Sequence, residues 1–145
     1  MINKRPFARF PKAESVGERD WGEEILLVLS QGKFTMKKLI IKKGFSGGLQ
    51  YHRKKDEAAY IISGTLLVTY ENEEGLLVKK KLQKGEWLHF PNGSIHQETA
   101  ITDVELIEVS TPHFNDRVRV EKQFNLDPLK FNGLPSTEED EIIIK

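Results

Sequence analysis

GLQYHRKKDEAAYIISG (Gly48 to Gly64) and GEWLHFPNGSIH (Gly85 to His96) decide how this chain is read. From Gly44, five residues lead to Gln50, one to His52, four to Glu57 and six to Gly64. From Gly85, five residues lead to Pro91, one to Gly93 and two to His96, and 20 residues separate the two blocks. The chain has only four histidines. Taken alone, His52 beside Arg53, Lys54, Lys55 and Asp56 is a histidine in a solvated charged turn. The second block, at a set distance, gives it a partner.

The bulk properties bound the rest. A chain of 145 residues suits one domain with a real core. Lys plus Arg is 22 and Asp plus Glu is 22, so no net charge draws the whole chain to nucleic acid or an anionic membrane. With no cysteine, disulfides and thiolate ligands are excluded, and any metal must be held by imidazole, carboxylate or amide oxygen. The start, MINKRPFARFPKAE, is basic without the apolar segment of a secretory signal. No apolar run nears the ~18 residues of a membrane span. A cytoplasmic location, with neither nucleic acid nor membrane as partner, is the expectation.

Short apolar and β-branched runs alternate with glycine and charged breaks: EILLVLS, FTMKKLIIKK, AAYIIS, TLLVTY, LLVKKKL, EWLHF, IHQETA and VELIEVST. ENEEG (Glu71 to Gly75) reads as a hairpin loop. Such spacing predicts an all-β sandwich or barrel. Asn115 to Phe124 reads as a turn, a short helix or a further strand. The acidic end, with Ile142 to Ile144, reads as a mobile tail, or as a segment docked on a sheet edge of this chain or a partner.

The two blocks resemble the paired motifs of the cupins. That family's first motif is Gly, five residues, His-x-His, three or four residues, Glu, six residues, Gly. Its second is Gly, five residues, Pro-x-Gly, two residues, His, three residues, Asn. Here Gln50 stands at the first histidine position and Ala100 at the final asparagine position. The Gln-x-His pair is similar to the type II mannose-6-phosphate isomerase cupins, as are DWGEEILLV, FTMKKLIIKKG and VELIEVSTPHFNDRVRVE. The similarity runs from about Asp20 to Phe124. It implies a single-domain jelly-roll barrel over 20–124, with an N-terminal arm over 1–19 and a C-terminal tail over 125–145. It also implies a homodimer. These relatives commonly carry a histidine and an aromatic after the glutamate, where this chain has Ala58 and Ala59. Two bulky groups at or near the pocket are therefore missing.

Inward side chains from several strands of a small barrel converge on one point. A kink over Arg53 to Asp56 lets His52 and Glu57 face one interior, and the turn at Pro91, Asn92 and Gly93 delivers His96 to the next strand. Gln50, His52, Glu57 and His96 are thus the expected ligands of a divalent metal, zinc first, with Mn, Fe, Co or Ni as alternatives. The resemblance implies that Arg119 contacts substrate or its phosphate. The alternative for Arg119 is a salt bridge with Glu121 or Asp116. His89 is either a proton shuttle or a partly buried structural histidine. Arg53, Lys54 and Lys55 either guide an anionic ligand or form a solvated loop. Only one of Lys37 and Lys38 can face the interior, where it would be a candidate acid or base. Trp21 and Trp87 read as core or dimer-contact residues, and His113 as exposed. The expected function is a metal-dependent isomerase or epimerase acting on a sugar phosphate or nucleotide sugar. The alternatives are a non-catalytic sugar-binding module and a metal-dependent dioxygenase.

Overall fold

Alternation along the strands sorts side chains between an outer and an inner face. The computed structural model describes residues 5–145, so the first four residues of the expected arm lie outside it. Its strands are β1 Glu14–Arg19, β2 Gly22–Ser30, β3 Phe34–Ile41, β4 Gln50–Tyr51, β5 Glu57–Ser63, β6 Leu66–Glu71, β7 Leu77–Leu82, β8 Trp87–Phe90, β9 His96–Ala100, β10 Val104–Ser110, β11 His113–Phe114, β12 Val118–Arg119 and β13 Ile143–Ile144. A six-stranded sheet runs β1-β2-β3-β10-β5-β8 and a five-stranded sheet runs β12-β4-β9-β6-β7. The chain crosses between them at each of the links β4–β5, β5–β6, β7–β8, β8–β9 and β9–β10. That is the jelly-roll connectivity expected from the sequence. ENEEG closes the β6–β7 hairpin as predicted.

Both sheets contribute to one apolar core. Ile41, Ile61, Val104, Leu106 and Phe90 come from the larger sheet, and Leu66, Val68, Leu82 and Ala100 from the smaller. The same inward faces turn polar toward the other end of the strands. On β10, buried Val104 and Leu106 are followed inward by Glu108 and then Ser110. On β3, running the opposite way, Ile41 and Leu39 give way to Lys37 and Thr35, opposite Glu108 and Ser110 in register. The Thr35 and Ser110 hydroxyls hydrogen-bond at 2.9 Å, which satisfies two buried polar groups against each other. One end of the sandwich is therefore a packed core, and the other is a polar interior available for a site.

Of the two alanines, only Ala59 faces inward, where it joins the apolar core. Ala58 faces outward, across from His89 and Val109. The segment after Arg119 is a 3₁₀ turn over Glu121–Phe124. The tail packs back on the barrel through β13, which pairs antiparallel with β11 of the same chain. The tail therefore docks on its own chain, but in a separate two-stranded sheet with β11 and not on an edge of either large sheet, with Ile143 and Ile144 left exposed. Residues 14–19 of the expected arm form β1 and pair with β2. Among the described residues no helix is long and apolar enough to cross a membrane.

Ile61 is fully buried at 0% exposure between the two sheets. Ile61→Ala should lower stability by about 2–5 kcal/mol, read as a reduced midpoint with an unchanged slope in urea unfolding.

Candidate metal centre

Two loops and three strand ends build the site. Gln50 on β4 lies opposite His96 of β9 on one side and Arg119 of β12 on the other. After His52 the chain turns sharply around the buried carboxylate of Asp116. That carboxylate accepts the backbone N–H of Arg53 at 2.9 Å, of Lys54 at 2.8 Å and of Lys55 at 2.9 Å. The turn brings Glu57 to the start of β5, facing inward like His52. The Pro91 turn closes with Ser94 N–H bound to the Pro91 carbonyl at 3.0 Å, and Gly93 N–H docks on the His52 carbonyl at 2.8 Å. Gly93 has a φ of 88°, a left-handed conformation that glycine adopts without strain. The second motif is thereby hydrogen-bonded to the first.

His52 Nε2 lies 3.3 Å from Glu57 Oε1, and His96 Nε2 lies 3.4 Å from the same oxygen. All three residues are buried. His52 Nδ1 hydrogen-bonds to the Asp116 carbonyl, and His96 Nδ1 to the Ser94 carbonyl at 3.0 Å. A carbonyl only accepts, so each Nδ1 must carry a proton, and in the neutral ring each Nε2 is then a lone pair. With both rings neutral, two imidazole lone pairs and a carboxylate oxygen converge, a set that a bound cation would satisfy. Ligands of a tetrahedral ion at ~2.0–2.1 Å are separated by ~3.3–3.4 Å, which matches the spacing here. The Phe90 ring stacks on His96 with centroids 3.8 Å apart and fixes its plane. The donor set and the carbonyl-locked rings fit a divalent metal.

Glu57 Oε2 is buried without a hydrogen bond. Lys55 Nζ stands 2.7 Å away as an ion pair, off the hydrogen-bonding direction, and 3.3 Å from Glu108 Oε1. Burial alone would lower the Lys55 ammonium, but Glu108 and Glu57 hold it above the ordinary lysine range. Burial works against the Glu57 carboxylate as well, and the Lys55 charge outweighs it, holding Glu57 well below the ordinary range. For Glu108 burial wins over the Lys55 charge, with the negative charge on Glu57 acting the same way, and its carboxyl is well above the ordinary range. Glu98, pushed up first by burial and then by Glu57, reaches about 7. Burial and the Glu57 charge thus raise Glu108 and Glu98, while Lys55 and Glu57 hold each other in their charged forms.

These groups open onto a cavity of about 990 Å³ whose wall includes Gln50, His52, Glu57, His96, Glu98 and Glu108. Three of the four expected ligands are brought together, and Gln50 faces the same cavity. Arg119 is not part of this wall. Its guanidinium binds the buried carboxylate of Glu121, so the salt-bridge alternative is the one observed. His89 is not brought to the cluster either. It lies on the outward face of β8 with an exposed side chain, its Nε2 2.8 Å from Asp56 Oδ1, because strand alternation sends Leu88 and Phe90 inward instead. Trp87 shares that outer face and is 72% exposed. Trp21 packs against Phe45 at 5.5 Å and lines the cavity. Lys37 is the inward lysine, paired with Glu24 at 2.7 Å, while Lys38 faces out toward Glu105. The basic trio divides: Lys55 turns into the site, Arg53 binds the Thr137 carbonyl, and Lys54 pairs with Glu139 at 3.6 Å. His113 is half-buried, hydrogen-bonded to Thr111 at 2.8 Å.

Sequence reasoning missed Glu98, Glu108, Arg117 and the tail residues Phe131 to Leu134, all of which line the cavity. Alternation carried the signal for Glu98, two residues beyond His96. Nothing in the sequence places the tail.

Two outcomes check the centre. The purified protein should carry about one divalent ion per chain, and His52→Ala should lose it, measured by elemental analysis without an affinity tag. Burial would raise the Asp116 carboxyl, but three backbone N–H donors hold it below its ordinary 3.8. That stabilisation is fully present above the ordinary value and is lost as the pH falls through the folded value. Asp116→Asn should therefore cost about 2–3 kcal/mol at neutral pH, with the gap to the wild type closing on acidification below about pH 4 in urea titrations.

Comparison with known proteins agrees with this architecture. No curated protein sequence matches significantly. KdgF from Halomonas sp. superposes with a TM-score of 0.57 at 17% identity, over 67% of this chain and 85% of that one. Oxalate decarboxylase from Bacillus subtilis superposes at 0.63 with 17% identity, over 97% of this chain and 46% of the other. A study of the Mn(II) centres of that decarboxylase gives a similar match, 0.62 at 18% identity over 92% and 43%. The capsular polysaccharide assembling protein CapF from Staphylococcus aureus matches at 0.58 with 14% identity, over 88% and 32%. At these identities the likeness is one of fold. The family model of the cupin domain matches residues 38–110, from β3 through both motifs to the end of β10, and the chain belongs to the cupin domain family.

Proposed function

We propose that this cupin is a metal-dependent isomerase or epimerase of a sugar phosphate or nucleotide sugar, similar to mannose-6-phosphate isomerase. The observation that carries the proposal is the junction of the His52, Glu57 and His96 acceptors with a cavity that also holds Glu98. Among the described residues Glu98 makes no ion pair, whereas Glu24, Glu57 and Glu108 each have a lysine. The shared fold with a capsular polysaccharide assembling protein is consistent with a carbohydrate ligand.

Gln50, His52, Glu57 and His96 would hold a divalent ion, with zinc first and manganese among the alternatives. Bound there, it supplies Lewis acidity to the oxygens of a carbonyl and its neighbouring hydroxyl. The protein supplies the rest. Lys55 keeps Glu57 ionised and so keeps the ligand set anionic. The Asp116 and Ser94 carbonyls hold both imidazoles in the tautomer that leaves Nε2 free. Glu98 is the general base of this reading. It removes the proton from the hydroxyl-bearing carbon beside the carbonyl, leaving an enediolate, and returns it to the former carbonyl carbon, while the hydroxyl proton passes to the former carbonyl oxygen. Atoms and electrons balance without an external oxidant or reductant.

Metal-loaded protein should interconvert mannose-6-phosphate and fructose-6-phosphate in a coupled assay. Glu98→Gln should lower turnover by roughly 10²–10⁴-fold with metal content retained. No interconversion of any hexose phosphate or nucleotide sugar by the loaded protein would turn the reading toward a binding module.

A further inference from the structure

We propose that the C-terminal segment 125–137 is a fixed wall of the metal cavity, that Arg119 is the positioning residue that holds it there, and that Arg117 is the half-buried guanidinium placed to receive the anionic end of a ligand. The part concerning Arg117 rests on the functional reading above; the part concerning Arg119 does not.

Four of the five guanidinium N–H donors of Arg119 are committed to the protein. Its Nε and Nη2 bind Glu121 Oε2, with Nε at 2.9 Å, and Glu121 is buried at 1% exposure. Nη2 also donates to the Pro128 carbonyl at 2.9 Å, and Nη1 to the Gly133 carbonyl at 3.4 Å. The Arg119 backbone N–H binds Ser136 Oγ at 2.9 Å. One residue thus grips the tail at three places. Between those grips, Asn132 N–H binds the Ser46 carbonyl at 2.8 Å, and Phe131 to Leu134 become cavity wall.

The fit is close enough to dictate sequence. A Cβ on Gly48 would stand 2.6 Å from Arg119 Nε, and one on Gly133 would stand 3.1 Å from the Gly48 nitrogen. The guanidinium cannot step aside cheaply, because it is tied to a buried carboxylate. Gly48 is two residues before Gln50, so the clamp abuts the first motif.

Arg117 is placed differently. Its backbone pairs with Thr137, and its Nε donates to the Pro135 carbonyl at 2.8 Å. Its terminal nitrogens make no hydrogen bond or ion pair among the described residues, and it lines the cavity. Lys42 and Lys43 line the same cavity, also without ion pairs among the described residues. The interior cations Lys37 and Lys55 are neutralised by Glu24, Glu57 and Glu108. Arg19 lines the cavity too, but it is exposed like Lys42 and Lys43, so the half-buried Arg117 offers an anionic group the less solvated fork.

The test uses the full chain loaded with Zn²⁺ or Co²⁺. In Arg119→Ala, circular dichroism should still report a folded β protein. Protease cleavage within 125–137 should accelerate at least about tenfold, and EDTA should strip the metal faster, since Arg119 ties the segment at three points along its length. Gly48→Ala should reproduce both effects with the arginine present, and Arg119→Lys should restore protection only in part. An unchanged cleavage rate in Arg119→Ala and Gly48→Ala would overturn the clamp. Arg117→Ala loses only the single side-chain bond to Pro135, so its cleavage should rise far less than that of Arg119→Ala, and it should weaken mannose-6-phosphate about tenfold or more, with mannose unaffected. Retained phosphate preference in Arg117→Ala, or its loss in Arg119→Ala without tail release, would overturn the division between the two arginines. Failure of the loaded wild type to bind either sugar would overturn the isomerase reading and the Arg117 assignment together, and the cleavage result would still decide Arg119.

Discussion

Asp116 is the constraint on which the site depends. Its carboxylate gathers three consecutive N–H groups of the loop after His52, and its carbonyl fixes the His52 tautomer. Without an anion at that point, a loop carrying Arg53, Lys54 and Lys55 has no reason to fold inward. With it, Lys55 is delivered to Glu57, and the His52 carbonyl is left facing the N–H of Gly93. One buried carboxylate therefore sets the relation between both motifs, although it lies in neither.

The barrel divides its interior by the order of residues along each strand. Leu106 and Glu108 are both inward, as are Ile61 and Glu57, so the core grades into the site along the same strands. Burying several carboxyl and ammonium groups is costly unless they compensate one another. Here Lys37 meets Glu24, and Lys55 meets Glu57 and Glu108, while the Nε2 atoms of His52 and His96 find only Glu57 Oε1. That imbalance marks the place for a cation, and it is a stronger sign than the presence of two histidines.

The tail changes how the arginines are understood. By resemblance Arg119 was the residue to meet substrate, and the geometry instead commits its guanidinium to Glu121 and to two carbonyls of the tail. An arginine beside a binding site has two uses, holding a ligand or holding the chain that shapes the site. Sequence position does not distinguish them; the neighbours of its nitrogens do.

The sequence by itself determined the all-β fold, because apolar alternation and turn residues are local properties. It also determined that Gln50, His52, Glu57 and His96 face one cavity, because the family's spacing encodes strand ends that meet across two sheets. The direction of Ala58, Ala59, Lys37 and His89 required the strand register, since a shift of one residue exchanges the faces. The roles of Asp116, Glu108, Arg117 and the tail were decided only by tertiary structure. Each depends on a contact between segments far apart in the chain, such as Asp116 with Arg53 or Thr137 with Arg117, and no local pattern carries that information.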